Sequence, residues 1–507
     1  MWIICAGGKR SGSTLQYNIL ARIVETANVG KRIPHFVPEG FLAIKESEEL
    51  NSGYKVIKTH LLTPHLRKEI FNKNALVIHS YRDIRDVVVS ALKKGWITNK
   101  REHIRKFVND YINQYNGWAS LDKIYSRKYE EFYQNIEREI KFFSKLLGIE
   151  LTEKVIQEIA ADLDINYLAS IQDKVEDRNI AYQFSEAFDS KTLLHLNHIN
   201  NGDANQYLTE LSEEQIVLIE SLSYPFLFEN KYHISIPKRS AFISFSQHGD
   251  DFLAWQILGK KNKGIVVEIG AFDGVHLSNS LGLELRGWQS ICVEPNPSIF
   301  PYLEKYRQSS INVNAAIVGD KSIKEIDFFM EEIGVLSGCD FNEEDIKRRY
   351  ENRGINYNPP KKVKAQALTC TDLLEEKLMG IKSIDILSID VEGFEMQVLK
   401  GLNTLNFDIA LFIIEANTSS EKNQILNYFS SKREYLYLGH NYQNLFIIKK
   451  DYLRKKRLKV LDEKNYLKAI QKHPMRSDLT IDSTYPNFKK SSSFKNSIIW
   501  KLGRFNK

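Results

Sequence analysis

Residues 6–14, AGGKRSGST, bring glycines, cations and hydroxyls together at the spacing of a phosphate-binding loop. From Gly7 the pattern G-x-x-x-x-G is met, and Thr14 stands where such loops end in Ser or Thr. The lysine that reaches the β- and γ-phosphates of a nucleoside triphosphate is missing, because Ser13 holds its place. Three readings are open at this point: a broken NTPase loop, a chance glycine cluster, or a cradle for another anion. A glycine-rich turn into a helix aims backbone N–H groups and the positive end of the helix dipole at an anion. Lys9 and Arg10 add charge, and Ser11, Ser13 and Thr14 flank Gly12 with hydroxyls. No later strand ends in a Mg²⁺-binding Asp; the run ALVIHSYRD instead delivers Arg82, a second anion binder. The expected ligand is a compact phosphate handled by cations and hydroxyls without metal.

A second group of polar residues begins at VVEIGAFDG, a hydrophobic strand followed by Glu268, Gly270, Asp273 and Gly274. This is not G-x-G-x-x-G, so the dinucleotide fingerprint fails. It suits S-adenosylmethionine (SAM), which has no pyrophosphate but has an amino-acid end that needs close backbone approach. Gly270 and Gly274 would permit that approach, and Glu268 and Asp273 would meet the ammonium or sulfonium. Glu294, ending the strand of CVEPNP, is placed to accept both ribose hydroxyls. Asn314, in NVNAAI, is a contact on the adenine side.

The elements that must position these residues are legible as short apolar runs between helical patterns. MWIICA, the loop, and STLQYNILARIVETA read as strand, turn and helix; YKVIKTH and ALVIHSYRD supply further strands. Helical patterns follow to about residue 225, and SEEQIVLIESL opens with Ser212 and Gln215 at capping-box spacing. The pattern restarts near ISIPKRSAFISFSQHGDD. A second series, GIVVEIGAFDG, SICVEPNP, INVNAAIVGD, IDILSIDVEG and IALFIIEANT, has five strand-like runs with polar ends. The expected fold class is α/β in two domains. The first is a P-loop-like parallel sheet with helices on both faces, the second a Rossmann-like doubly wound sheet with ligands at its carboxyl ends. The expected boundaries are 1–236, 237–450 and a basic C-terminal tail at 451–507.

KRSGST resembles the 5′-phosphosulfate loop of the sulfotransferases that use 3′-phosphoadenosine 5′-phosphosulfate (PAPS), and YRDIRDVVVS resembles their 3′-phosphate motif. The resemblance spans about residues 1–236. It implies that Arg82 and Ser90 hold the 3′-phosphate, that His60 in VIKTH is the catalytic base, and that Tyr129 in RKYEEF lies near the adenine. Sulfuryl transfer needs a base for the acceptor hydroxyl and positive charge on the bridging oxygen; Arg10 and Lys58 suit the second task. The sequence departs from the family twice. Arg10 stands where lysine is common, and HINNGDANQYL keeps only Asn201 and Gly202 of the later Arg-Lys-Gly element. The structural alternatives are that Arg82 pairs with Asp83 or Asp86 and that His60 is a satisfied strand-end residue.

FSQHGDD, LSNSLGLE and SIDVEGFEMQVLKGL resemble the FkbM family of methyltransferases over about residues 240–450, through SQ-x-G-x-D at Ser246–Asp251, Ser278–Asn279 and Asp390-Val-Glu-Gly. That implies SAM-dependent O-methylation of sugar or natural-product hydroxyls. Asp390 is the preferred base or SAM contact, with Glu415 and His276 behind it. Glu392 and Glu395 are alternatively caps of the following helix. Paired carboxylates here could hold a divalent cation, but no ligand spacing demands one, and no metal is expected.

Composition bounds the rest. The chain has 507 residues, 43% hydrophobic and 26% charged, and a net charge of +6. Residues 451–507 carry 15 Lys/Arg against 5 Asp/Glu. Such a tail suits a peripheral anionic surface, or is simply solvated. Four scattered cysteines, no signal-peptide pattern and no apolar run of about 20 residues suggest a cytoplasmic protein with no transmembrane segment. No nucleic-acid partner is expected. The leading reading is a bifunctional transferase acting on hydroxyls of a glycan, glycolipid or secondary metabolite. The alternatives are one active domain with the other as a docking module, and a P-loop kinase fused to a methyltransferase.

Overall fold

The computed structural model describes residues 1–33, 40–48, 51–164, 178–180, 187–189, 193, 204–234, 242–331, 334, 336–339, 343–352 and 356–455. Asn201, Gly202, the expected boundary at 236 and the basic tail beyond Lys455 lie outside these residues. The chain divides into two compact units, the first Met1–Tyr232 and the second starting at His233.

The first unit is built on a parallel sheet of β1 (Trp2–Gly7), β2 (Gly30–Arg32), β3 (Tyr54–Thr59), β4 (Ala75–Tyr81) and β5 (Tyr125–Lys128), in the order β2-β3-β1-β4-β5. Five helices alternate with it: α1 (Ser13–Thr26), α2 (Phe41–Ser47), α3 (Pro64–Phe71), α4 (Ile84–Lys93) and α5 (Arg101–Ala119). Successive β1 residues point to opposite faces, as strand geometry requires. Ile3 and Cys5 join Tyr17, Leu20 and Val24 of α1 in one core, whereas Trp2, Ile4 and Ala6 join Phe41, Leu66 and Trp118 in the other. Each fully buried aliphatic side chain contributes about 1.5–3 kcal/mol, so both faces of β1 must be covered. The helix Glu213–Leu222 opens on the expected capping box, Ser212 with Gln215. A short antiparallel hairpin, β6 (Arg178–Ile180) and β7 (Ala187–Asp189), also belongs to this unit.

The second unit carries β8 (Ile265–Ile269), β9 (Gln289–Val293), β10 (Ile311–Val313), β11 (Ala316–Val318), β12 (Glu325–Met330), β13 (Lys361–Thr369), β14 (Ser383–Ile389), β15 (Asp408–Glu415), β16 (Tyr435–Asn441) and β17 (Asn444–Lys449). Seven of these form a mixed sheet, β10-β9-β8-β14-β15-β17-β16; its first five strands are parallel and β17 runs antiparallel to both neighbours. Two features depart from a simple five-stranded reading. The hairpin β16–β17 completes the sheet edge. INVNAAIVGD is not one strand, because Asn314 turns out of β10 and donates its amide to the Glu294 carbonyl at 2.8 Å. The chain then enters β11 in a separate sheet, β11-β13-β12. Among the described residues no helix is long and apolar enough to cross a membrane.

Candidate active sites

In the first unit the polar residues gather at the carboxyl ends of β1, β3 and β4, where parallel α/β sheets bind ligands. After β1 the chain passes through Arg10 (φ 68°) and Gly12 (φ 88°) before α1 begins at Ser13. Left-handed residues in such a turn leave consecutive N–H groups facing one concavity, which suits an anion. Gly12 has a second constraint, because a Cβ there would lie 2.4 Å from the Tyr129 ring. Ser11 fixes the loop from inside, donating to the Gly8 carbonyl at 2.7 Å and sharing a hydrogen bond with Ser80 at 3.1 Å. Ser13 and Thr14 are buried in the first turn of α1.

The cations converge on this turn. Arg10 Nε donates to Ser90 Oγ at 2.7 Å, and the Arg10 guanidinium also lies over the Trp96 ring. Lys58, on β3, is half-buried; burial first and the Arg10 charge second push its ammonium down to about 8. Arg82 lies 4.5 Å over the ring of Tyr129, and its backbone N–H donates to the Tyr111 hydroxyl at 3.1 Å. Its acidic neighbours have hydrogen-bond partners of their own, although Asp86 also feels the Arg82 charge. Asp83 caps α4 and pairs with Arg85 at 2.7 Å. Asp86 accepts from the backbone N–H groups of Asn205 and Tyr207, and burial holds its carboxyl up at about 6.

His60 follows β3, and its Nδ1 lies 2.7 Å from the Gly7 carbonyl. A carbonyl oxygen can only accept, so Nδ1 is the donor in this contact, and in the neutral imidazole Nε2 is the nitrogen that keeps a lone pair. Trp118 fixes the same residue by donating its indole N–H to the His60 carbonyl at 3.1 Å. The predicted residues of this unit therefore meet at one place. Tyr111 escaped sequence reading because an aromatic at helical spacing looks like core, and it is indeed buried on α5; Trp96, exposed in the bend after α4, belongs to no motif that would mark it.

The second unit holds a cavity of about 390 Å³, within the size range of small-molecule sites of roughly 300–1,000 Å³. Glu268, Gly270, Glu294 and Asp390 line it; Asp273, Gly274 and Asn314 do not. Several expected contacts have other work. Glu268 accepts from Ser278 and Ser280 hydroxyls and the Asn279 backbone N–H, which pins the 278–280 turn. Asp273 accepts from the backbone N–H groups of Val275 and His276 and pairs with the exposed His276 ring at 2.6 Å. That contact raises the His276 imidazole above its usual range. Gly274 is required by packing, since a Cβ would meet Arg307 Cγ at 2.5 Å. Gly270 (φ 88°) is required by the Asp390 carbonyl, only 1.6 Å from a Cβ built there, which brings the ends of β8 and β14 together.

Glu294 does face the cavity. Its carboxylate is oriented by the backbone N–H groups of Phe272 at 2.9 Å and Asn296 at 2.8 Å, and burial pushes it up to about 7. Each oxygen keeps acceptor capacity beyond these bonds. Of the two suspected caps, Glu395 stands in the first turn of the helix Glu395–Lys400, which has no side-chain cap, and its carboxylate accepts instead from the N–H groups of Val391 and Gly393 in the preceding turn. Glu392, held at φ 51°, turns into the cavity, where Arg349 donates to it at 3.3 Å. Carboxylate oxygens of Asp390, Glu392 and Glu415 all lie within 4.8 Å of one another. Burial and mutual repulsion drive Asp390 well above the usual carboxylate range and Glu392 up to about 8. In Ser246–Asp251, Asp250 and Asp251 are structural: Asp250 receives the amides of Asn441 and Asn444, and Asp251 the hydroxyls of Ser244 and Ser246. Gln247 alone of that motif lines the cavity.

Each of the two α/β units sets its polar side chains at the carboxyl ends of parallel strands, where such folds bind ligands. Residues 2–215 match the sulfotransferase domain family, and residues 268–444 match the methyltransferase FkbM domain family. The chain carries one domain of each kind and is a transferase with two activities. Among solved structures, mouse sulfotransferase SULT7A1 complexed with PAP is 15% identical with a TM-score of 0.33, covering 45% of this chain and 84% of that one. Retinol dehydratase in complex with androsterone and inactive cofactor PAP is 15% identical with a TM-score of 0.31, covering 45% and 80%. The METTL16 MTase domain is 11% identical with a TM-score of 0.24, covering 56% and 90%.

Proposed function

We propose that the first unit transfers a sulfuryl group, and the second a methyl group, to hydroxyls of a glycan, glycolipid or secondary metabolite. When bound, PAPS supplies the sulfuryl group and SAM the methyl group. The loop N–H groups of Arg10, Gly12, Ser13 and Thr14 would hold the 5′-phosphosulfate, Ser11 bracing the turn from inside, and Arg82 with Ser90 the 3′-phosphate. Tyr129, stacked under Arg82, would face the adenine. His60 Nε2 would take the acceptor proton while Arg10 and Lys58 neutralise the oxygen that leaves sulfur. The observation that carries this half is the hydrogen bond from His60 Nδ1 to the Gly7 carbonyl, which fixes the ring against the strand that leads into the loop and selects Nε2 as the basic nitrogen of the neutral imidazole.

In the second unit Glu294 would accept the ribose hydroxyls, and the chain beside Gly270 would receive the amino-acid end. Asp390, whose burial makes it a stronger base than an ordinary carboxylate, would take the acceptor proton. Four free cysteines, three of them buried, agree with a reducing compartment, and we place the protein in the cytoplasm. The test is calorimetric titration of the full chain with PAP and with S-adenosylhomocysteine. Arg82→Ala should remove only the first affinity and Glu294→Ala only the second. If both affinities survive both substitutions, both sites are misassigned.

A further inference from the structure

We infer that Asp390, Glu392 and Glu415 form a binding site for one divalent cation of the Mg²⁺ or Mn²⁺ class, at the wall of the methyltransferase cavity. Asp390 follows β14 and Glu415 ends β15, neighbouring parallel strands paired from Ser383–Asp408 to Ile389–Ile414. Glu392 arrives two residues after Asp390 through a left-handed backbone turn. One oxygen from each lies within 4.8 Å of the others. Ligands held 2.0–2.6 Å from one ion are at most about 4–5 Å apart, so the spread fits a single cation.

An acidic cluster alone would not carry this reading; Asn279 supplies the second observation. Asn279 lines the same cavity and is 6% exposed. Its amide nitrogen donates to Ser388 Oγ at 3.0 Å, and Ser388, two residues before Asp390, lines the same cavity. The Asn279 Oδ1 is buried without a hydrogen-bond partner. A buried carbonyl oxygen left unpaired is unfavourable, and a cation in this cavity, directly or through one of its waters, would satisfy it. Three carboxylates and an amide oxygen are hard ligands, which select Mg²⁺ or Mn²⁺ over thiophilic metals. Glu392 is oriented by Arg349 at 3.3 Å and Glu415 by the Asn417 amide at 2.8 Å. Each carboxylate has about four lone-pair sites, so those bonds leave room for a metal.

The cation's role, though not its binding, rests on reading the cavity as the methyl-transfer site. There it would take the acceptor hydroxyl as a further ligand and lower that hydroxyl's pKa.

The experiment is Mn²⁺ titration of the full chain, without donor or acceptor, followed by the loss of the free-ion electron paramagnetic resonance signal. One Mn²⁺ per chain should bind below millimolar concentration and be displaced by Mg²⁺. Glu415→Gln and Asp390→Asn should each weaken it about tenfold or more, while Glu376→Gln, on an exposed helix face, should not. No binding by the wild-type chain at millimolar Mn²⁺ would overturn the inference, whatever the variants do. So would binding that both cavity variants leave unchanged. Either result leaves methyl transfer with Asp390 as base intact, whereas Mn²⁺ binding with no methylated product counts against the proposed function alone.

Discussion

Arg10 Nε donates a 2.7 Å hydrogen bond to Ser90 Oγ across 80 residues of sequence, tying the loop after β1 to the middle of α4. Burial first, and the same guanidinium second, lower the ammonium pKa of Lys58. Arg10 is therefore fixed in place, and Lys58 is the cation whose charge can respond to the ligand.

That division makes Arg10→Ala and Lys58→Ala different. Removing one pre-aimed donor of transition-state charge costs about 10²–10³ in kcat. Lys58→Ala should lose that much kcat and hold PAP only at the weaker, pH-independent affinity that the uncharged Lys58 gives the wild type well above pH 8. Arg10→Ala should weaken PAP binding as well, because the loop loses its tie to α4. Single-turnover kinetics beside PAP calorimetry separates the two.

The depressed Lys58 has a pH signature. Its folded value of about 8 lies below the ordinary 10.5. Between these values the unfolded chain binds more protons, so stability of the ligand-free unit rises as pH rises through that window. An anionic donor draws the proton back. PAP affinity should fall as pH rises above about 8, by up to about tenfold per pH unit, and Lys58→Arg should flatten the profile.

Glu294 runs the other way. Its folded value is about 7, against an ordinary 4.5. Its contribution to stability is present below 4.5 and lost as pH rises through about 7. Ribose hydroxyls donate best to the ionised carboxylate. S-adenosylhomocysteine should therefore bind more tightly at pH 8 than at pH 6, and Glu294→Gln should show a weak, flat profile in the same titration.

Arg307 carries the stability of the second site's supporting turn. It is fully buried, paired with Glu284 at 2.6 Å and bonded to Ser280 Oγ at 2.9 Å and the Gly274 carbonyl at 3.0 Å. Arg307→Ala should destabilise the unit by about 3–5 kcal/mol in urea unfolding, since Glu268 and Glu284 would stay buried without their counter-charge.

The loop after β1, the strands that deliver His60 and Arg82, and the strand runs of the second sheet's parallel part were legible because each is local: a glycine spacing, an apolar run, a polar residue at its end. The duties of the second unit's carboxylates were not. Glu268, Asp273, Glu294 and Asp390 are all acidic residues at or just beyond strand ends. Their different roles depend on what lies opposite in space: serine hydroxyls for Glu268, a local turn for Asp273, open cavity for Glu294 and Asp390. Glu392 and Glu395 are separated by a single left-handed turn, which no pattern of hydrophobicity announces. The hairpin β16–β17 was missed for a related reason. It has no glycine-rich or acidic tip, so nothing in it advertised a site.

The central claim is two group transfers to hydroxyls by one chain. The most direct measurement is mass spectrometry of a polyhydroxylated extract incubated with the full chain, PAPS and SAM, beside His60→Ala and Asp390→Ala. The account predicts products heavier by one SO₃ and by one CH₂, with His60→Ala abolishing only the first and Asp390→Ala only the second. Neither product from the wild-type chain, or loss of both from either variant, would contradict it.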